Sequence, residues 1–132
     1  MYKHILVPVD GSATSQKALG NALAIAQAFK TEVTVIYVID PYAFTGVGTD
    51  FAYGQAEYLG AATAEANEAI KTAKQAFAGV GITATGSVVE GHAIYRGILD
   101  TAESVNADLI VMGSHGRRGR DAAHLPVLVV RD

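Results

Sequence analysis

Two kinds of apolar pattern alternate along the chain. Short runs that are apolar at successive residues, such as Lys3–Val9, are typical of strands buried on both faces of a parallel sheet. Between them, apolar residues recur every three or four positions, as they do on one face of an amphipathic helix. The pattern predicts, in chain order, a strand Lys3–Val9, a helix from Ser12 to about Lys30, a strand Val33–Ile39, a helix from Gln55 to about Ala78, a strand Ile82–Val89, a helix from about Ala93 to Val105, a strand Leu109–Met112 and a strand Val127–Arg131.

The helical stripes predict which helix faces pack on the sheet. Ser12 or Ser15 can cap the first helix by accepting a hydrogen bond from an N–H group of its first turn. Gly79 and Gly81 are placed to end the second helix. The residues expected to face inward are Ala18, Leu19, Ala22, Leu23, Ala26, Phe29, Leu59, Ala62, Ala66, Ala69, Ile70, Ala73, Phe77, Ile94, Ile98, Ala102 and Val105.

The order of the elements predicts an α/β fold. Strands that alternate with helices are joined by right-handed crossovers, which gives a parallel sheet with helices on both faces. The length of 132 residues fits one domain over residues 1–132 that is large enough to bury a core.

One segment, Asp40–Gly54, shows neither the pattern of a helix nor that of a strand. It contains a proline, three glycines and several aromatic residues, so we expect a long loop. Two interpretations stay open, an insertion that varies between related proteins and a lid over a ligand.

Composition narrows the classes of function. Half of the residues are hydrophobic and 17% are charged, which indicates a folded globular chain. The absence of cysteine excludes disulfides, thiol catalysis and cysteine–metal sites. The net charge of −3 argues against a nucleic-acid partner, and no apolar run is long enough to span a membrane. His4, His92 and His124 are scattered and lack metal-ligand spacing, so they are assigned no role and no metal site is predicted.

A candidate anion site lies where the fourth strand ends. The segment Asp108–Arg120 passes from an apolar run into a loop with three glycines and three arginines. Glycine lets backbone N–H groups approach a phosphate, and arginine supplies positive charge. Ligands of open α/β sheets bind beyond the carboxyl ends of strands, so we expect this loop to meet Asp10-Gly11-Ser12 after the first strand. A carboxylate suited to sugar hydroxyls or a metal ion, opposite a phosphate-binding loop, predicts a nucleotide site.

These residues also have simpler interpretations. Asp10 can cap the first helix or accept hydrogen bonds from loop N–H groups, and His115 can be an idle exposed side chain. The arginines, Arg117, Arg118 and Arg120, can form a solvated basic patch. No Ser–His–acid or paired-carboxylate arrangement is visible, so the spacing offers no case for hydrolytic catalysis.

Three segments resemble the universal stress protein family: KHILVPVDGS at the start, ADLIVMGSHGRRG at the fourth strand, and LPVLVVR at the end. The resemblance implies a Rossmann-like open sheet of five parallel strands in the order 3-2-1-4-5 and a cytoplasmic location. It also implies a homodimer, often formed by antiparallel pairing of last strands, here Val127–Arg131. Many members bind ATP, with which a magnesium ion can be bound. Other members bind no ATP.

The resemblance also implies roles for individual residues. In ATP-binding members the end of the first strand holds adenine and ribose, which assigns that role to Pro8, Val9 and Asp10, with Asp10 on the ribose hydroxyls. Val38 then lies against the adenine. The residues on the triphosphate side are Met112, Gly113, His115, Gly116 and Arg117.

The chain departs from the family before its last strand. The family's ATP motif is Gly-x2-Gly-x9-Gly followed by Ser or Thr, but nine residues after Gly116 this chain has Pro126-Val127. A helix usual at this point is also missing, and a crossover between parallel strands needs about a dozen residues or more. Three explanations stay open: residues absent from the printed sequence between about Arg120 and Ala122, a natural variant that has lost tight ATP binding, and an engineered deletion.

Two functions are consistent with this pattern. The first is a stress-response protein that binds ATP with at most slow hydrolysis. The second is a member that binds no nucleotide and acts through its dimer surface, because an apolar last strand is an edge that favours pairing. An enzyme of this fold that adenylates substrates needs a glycine-rich loop after the first strand, where this chain has only Gly11.

Overall fold

The computed structural model describes residues 2–40, 49–91, 93–113 and 126–130. Strands and helices alternate as predicted, with boundaries that differ by a few residues. The elements are β1 His4–Pro8, α1 Ala13–Phe29, β2 Glu32–Ile39, α2 Thr49–Gly79, β3 Ala84–Glu90, α3 Ile94–Ser104, β4 Leu109–Gly113 and β5 Val127–Val130.

The strands form one sheet in the order β3-β2-β1-β4-β5, and all neighbouring pairs are parallel. The predicted fold class and strand order are confirmed. β1 lies between β2 and β4: the chain moves outward from β1 through β2 to β3, and then crosses to the other side of β1 to form β4 and β5. Such a reversal leaves a crevice at the carboxyl ends of the two central strands.

β1 is apolar at successive residues because both of its faces are covered. Ile5, Leu6 and Val7 are all 0% exposed; the side chains of Ile5 and Val7 pack on one face of the sheet and that of Leu6 on the other. α1 and α2 cover the first face, and α3 covers the second. The buried helix residues that make these contacts are Ala18, Ala22, Ala26, Ile70, Ala73, Phe77, Ile98 and Ala102.

Interactions and backbone conformations of nearby residues set the two ends of α1. Ser12 is the N-cap, and its Oγ accepts a hydrogen bond from the N–H of Ser15 at 3.1 Å. The C-cap is Lys30, which adopts a left-handed conformation with φ of 54°. The inward prediction for Phe29 is wrong, because this last helical residue is 40% exposed and packs edge to face on Tyr2, with ring centroids 6.1 Å apart.

The predicted loop Asp40–Gly54 extends too far at its C-terminal end. α2 already begins at Thr49, so Thr49–Gly54 is helical. A glycine inside a helix costs about 1 kcal/mol relative to alanine, which a 31-residue helix docked on the sheet can absorb. Residues 41–48 lie outside the described residues, so the lid and insertion interpretations both stay open.

β5 pairs with β4 from Ile110↔Val127 to Gly113↔Val130. Val127 packs on the face that α3 covers, whereas Leu128 points to the other face and is exposed. The connection at residues 114–125 lies outside the described residues, so its predicted lack of a helix stays a prediction. In the described ranges, no helix is long and apolar enough to cross a membrane.

Candidate functional site

A cleft of about 150 Å³ opens at the carboxyl ends of β1 and β4, where the strand order reverses. This is the place where open α/β sheets bind ligands. The described residues that line it are Pro8, Val9, Asp10, Ser15, Val38, Ile94, Tyr95, Ile98, Met112 and Gly113.

The structure brings together six of the nine predicted site residues in this lining: Pro8, Val9, Asp10, Val38, Met112 and Gly113. The other three, His115, Gly116 and Arg117, lie outside the described residues. The ligand contacts assigned to all nine stay predictions, because the cleft shows proximity and not binding.

Four lining residues were not predicted as part of the site. Ile98 was expected to face inward, and it forms the buried floor beside Met112. The inward prediction for Ile94 is wrong: it is 54% exposed, because it begins α3 at the mouth of the cleft. Tyr95 lies beside it, and Ser15 was considered only as a helix cap. No sequence signal marks Tyr95, since its place depends on how α3 docks.

The apolar wall of the cleft is held by a close approach of α3 to β2. A Cβ on Gly97 would lie 3.1 Å from Val38 Cγ1 and 3.6 Å from Val89 Cγ1. A larger residue at Gly97 would push the helix away from the sheet. The glycine therefore lets α3 press on Val38, which is nearly fully buried at the back of the cleft.

Asp10 stands in a tight turn between β1 and α1. Gly11 has φ of +79°, a conformation that L side chains rarely adopt. Asp10 Oδ1 accepts a hydrogen bond from the N–H of Ser12 at 2.9 Å, and the N–H of Asp10 donates to Ser15 Oγ at 3.1 Å. The carboxylate thus does hold a loop N–H group, as the simpler interpretation states. Among the described residues, Oδ2 has no hydrogen-bond partner, so this exposed oxygen can still accept one.

Gly113 brings the end of β4 against the start of α1. A Cβ on Gly113 would lie 3.0 Å from Thr14 Cγ2 and 3.4 Å from the backbone N of Ser15. A side chain at this position would have to displace Thr14, so glycine favours this close contact, which places the N-terminus of α1 at the cleft. Helix N-termini carry partial positive charge and favour anions.

Two acidic residues, Glu65 on α2 and Asp10 in the cleft, act on the hydroxyl of Tyr37 at the same end of the sheet. Burial raises the pKa of the Tyr37 hydroxyl, and the charges of Glu65 and Asp10 raise it further. The two carboxylates contribute negative potential around Tyr37. No cluster of metal-binding side chains occurs in the part of the chain that the structure describes.

Comparison with known proteins shows the family to which the chain is related. Residues 1–131 match the universal stress protein family. A universal stress protein of Methanocaldococcus jannaschii is 34% identical, in an alignment that covers 99% of this chain and 83% of the relative. That alignment has 144 positions against 132 residues here, so at least 12 positions of the relative have no counterpart in this chain.

Solved structures of the family share the fold. The universal stress protein UspA from Lactobacillus plantarum has a TM-score of 0.86 at 28% identity and covers 98% of both chains. A universal stress protein from Archaeoglobus fulgidus, solved in complex with dAMP, has a TM-score of 0.70 at 21% identity over 98% of both chains. One from Arabidopsis thaliana, solved with AMP bound, has a TM-score of 0.73 at 11% identity over 98% of this chain and 91% of that one.

Proposed function

Because the chain belongs to the universal stress protein family, we propose that it binds an adenine nucleotide, ATP, in the cleft between β1 and β4. The observation that carries the proposal is the combination of an apolar wall, the exposed carboxylate of Asp10 and the N-terminus of α1 around one cleft. Adenine, ribose and phosphate need these three environments. Two structures of the same fold hold dAMP and AMP.

The proposed base site is the apolar part of the cleft. Adenine lies against Val38, with Pro8 and Val9 beside it and the buried side chains of Ile98 and Met112 below. A flat aromatic base gains from the removal of its faces from water, at about 25 cal/mol per Å² of apolar surface.

The proposed sugar contact is made by Asp10. Its Oδ1 already accepts the N–H of Ser12, so Oδ2 is the oxygen that accepts from the ribose hydroxyls. Hydrogen bonds to a charged acceptor contribute about 1.5–3 kcal/mol. Since Ser12 and Ser15 hold the turn, little ordering is needed when the nucleotide binds.

The phosphates extend towards Gly113 and the N-terminus of α1, with His115, Gly116 and Arg117 as the predicted contacts beyond. The second half of the family's phosphate motif is missing from the sequence. We therefore expect adenosine and the first phosphate to supply most of the affinity. AMP and ATP should bind within about tenfold of each other, a difference of under ~1.4 kcal/mol.

Calorimetric titration of ATP, AMP and GTP, each with magnesium, tests the proposal. We expect saturable binding of ATP and AMP and much weaker binding of GTP. Asp10→Asn should weaken ATP binding by about 10- to 100-fold, since it removes the charged acceptor. The matched control is Asp100→Asn, an exposed aspartate on α3 that contacts Arg96 and does not line the cleft. The proposal is refuted if ATP shows no saturable binding at millimolar concentration.

The missing half of the phosphate motif favours a second candidate, a member that binds no nucleotide and acts as a dimeric interaction module. In that case the cleft stays empty and the function lies at the edge of the sheet. Within the described residues, β5 pairs with β4 on one side only, and Leu128 is exposed. We propose that a second copy pairs with this edge under either function, because an unpaired apolar strand favours pairing with another strand.

A further inference from the structure

We propose that the groove between α1 and α2 is a second ligand site, which takes a small apolar molecule carrying a positive charge. The groove has a volume of about 390 Å³ and lies between helices on one face of the sheet; Val9 and Ser15, which line the cleft of the proposed nucleotide, also line the groove. Its floor is formed by Leu19, Leu23 and Ala69, and its acidic side by Glu65 and Glu68.

The groove exists because the facing side chains are too small to fill it. α1 buries Ala18, Ala22 and Ala26 on the sheet and leaves Leu19 and Leu23 half-buried beside α2. The residues opposite them are small, and Gly20 on α1 adds further space; the small residues that line the groove are Gly11, Gly20, Ala69 and Ala73. Protein interiors are normally packed to the density of organic crystals, so two leucines beside such a gap form an apolar surface without full contact.

The charge of the groove is one-sided. Glu65 and Glu68 are both exposed and lie three residues apart on the same side of α2, where two like charges repel each other. Glu65 Oε1 also lies 4.0 Å from the position of a Cβ on Gly11, close to the Asp10 turn. Among the described lining residues there is no lysine or arginine to neutralise them.

Size and charge together select the ligand class. Small-molecule sites usually enclose about 300–1,000 Å³ and pair apolar surface with a few polar groups. An aliphatic or aromatic ammonium ion places its apolar part on Leu19 and Leu23 and its cation beside Glu65 and Glu68. An anion of the same shape is repelled. The leucines and glutamates that would hold the ammonium ion do not line the cleft of the proposed nucleotide.

The test is an NMR titration of the isotope-labelled full chain with hexyltrimethylammonium and, separately, hexyl sulfate. We expect saturable shifts of Leu19, Leu23 and Ala69 with the ammonium probe, and at least tenfold weaker binding of the sulfate. Saturation elsewhere on the molecule, no saturation, or equal affinity for the two probes would overturn the proposal.

Two pairs of variants locate the site. Ala69→Leu fills the floor and should abolish the saturable shifts, whereas Ala64→Leu, at an exposed position of the same helix, should leave them unchanged. The double variant Glu65→Gln with Glu68→Gln should weaken ammonium binding several-fold, and Glu57→Gln, exposed and outside the groove, should not. Urea unfolding checks that each variant is folded. Unchanged binding in folded Ala69→Leu would contradict the assignment.

Discussion

Asp108 joins the start of β4 to the start of β1 across the chain. Its Oδ2 accepts the N–H of Lys3 at 2.8 Å, and its Oδ1 accepts the N–H groups of Lys3 at 3.1 Å and His4 at 3.0 Å. These donors are separated from Asp108 by more than 100 residues. Asp108→Ala therefore removes a contact between residues that lie far apart in the chain.

The expected loss of stability can be estimated from the two donors, the N–H groups of Lys3 and His4. Hydrogen bonds to a charged acceptor contribute about 1.5–3 kcal/mol each, but the bonds from Lys3 are exposed and count for less. We expect Asp108→Ala to lower the free energy of unfolding by about 2–3 kcal/mol. Asp108→Asn, which keeps one carbonyl acceptor and loses the charge, should lower it by about 1–2 kcal/mol.

The effect should depend on pH. Partial burial pushes the pKa of Asp108 up, but hydrogen bonds from the backbone N–H groups of His4, Lys3 and Asp108 itself bring it below its ordinary value. The stability that a lowered pKa contributes is fully present above the unfolded value of about 3.9. It is lost as pH falls through the folded pKa, so the wild-type advantage should be constant from pH 7 to about pH 5 and disappear in stronger acid.

Urea unfolding of wild type, Asp108→Ala and Asp108→Asn, repeated from pH 7 downward, measures both effects. Asp100→Ala is the control, because its only contact in the described part is an exposed pair with Arg96 at 3.8 Å, worth under ~0.5 kcal/mol. A loss below about 0.5 kcal/mol in Asp108→Ala, or a wild-type advantage that grows in acid, would refute the reasoning.

Two further predictions concern the cleft and the sheet edge. Gly113→Ala places a methyl group 3.0 Å from Thr14 Cγ2, so we expect a loss of about 1–3 kcal/mol in urea unfolding and weaker ATP binding by calorimetry. Gly60→Ala, which meets nothing within 4 Å in α2, should be neutral or stabilising; equal effects of the two would contradict the steric argument. Val129→Asp in β5 should shift the sedimentation of the protein towards that of a monomer. Ser87→Asp, on the other edge strand β3, is the control and should cause no shift. A dimer that Val129→Asp leaves unchanged would exclude β5 as the interface.

Much of the candidate site was predictable because local sequence patterns carry it. The apolar runs of β1 and β4 each end at a residue suited to the cleft, Asp10 and Gly113, and parallel strands bring their carboxyl ends together. Ser12 was predicted as a possible cap, and its Oγ does accept a first-turn N–H. Tyr95 and Ile94 were not predicted there, because helical period gives the face of a residue but not how far a helix extends past the sheet.

The sequence by itself determined the order of elements, the parallel sheet and the strand ends at which a ligand can bind, since these depend on periodicity and on residues close in the chain. Only the tertiary structure decided that Asp108 holds the start of β1, that Gly97 and Gly113 are contact points, and that a groove separates α1 from α2. Such features depend on the distances between elements. Those distances are set by the summed packing of many side chains, which no local pattern records.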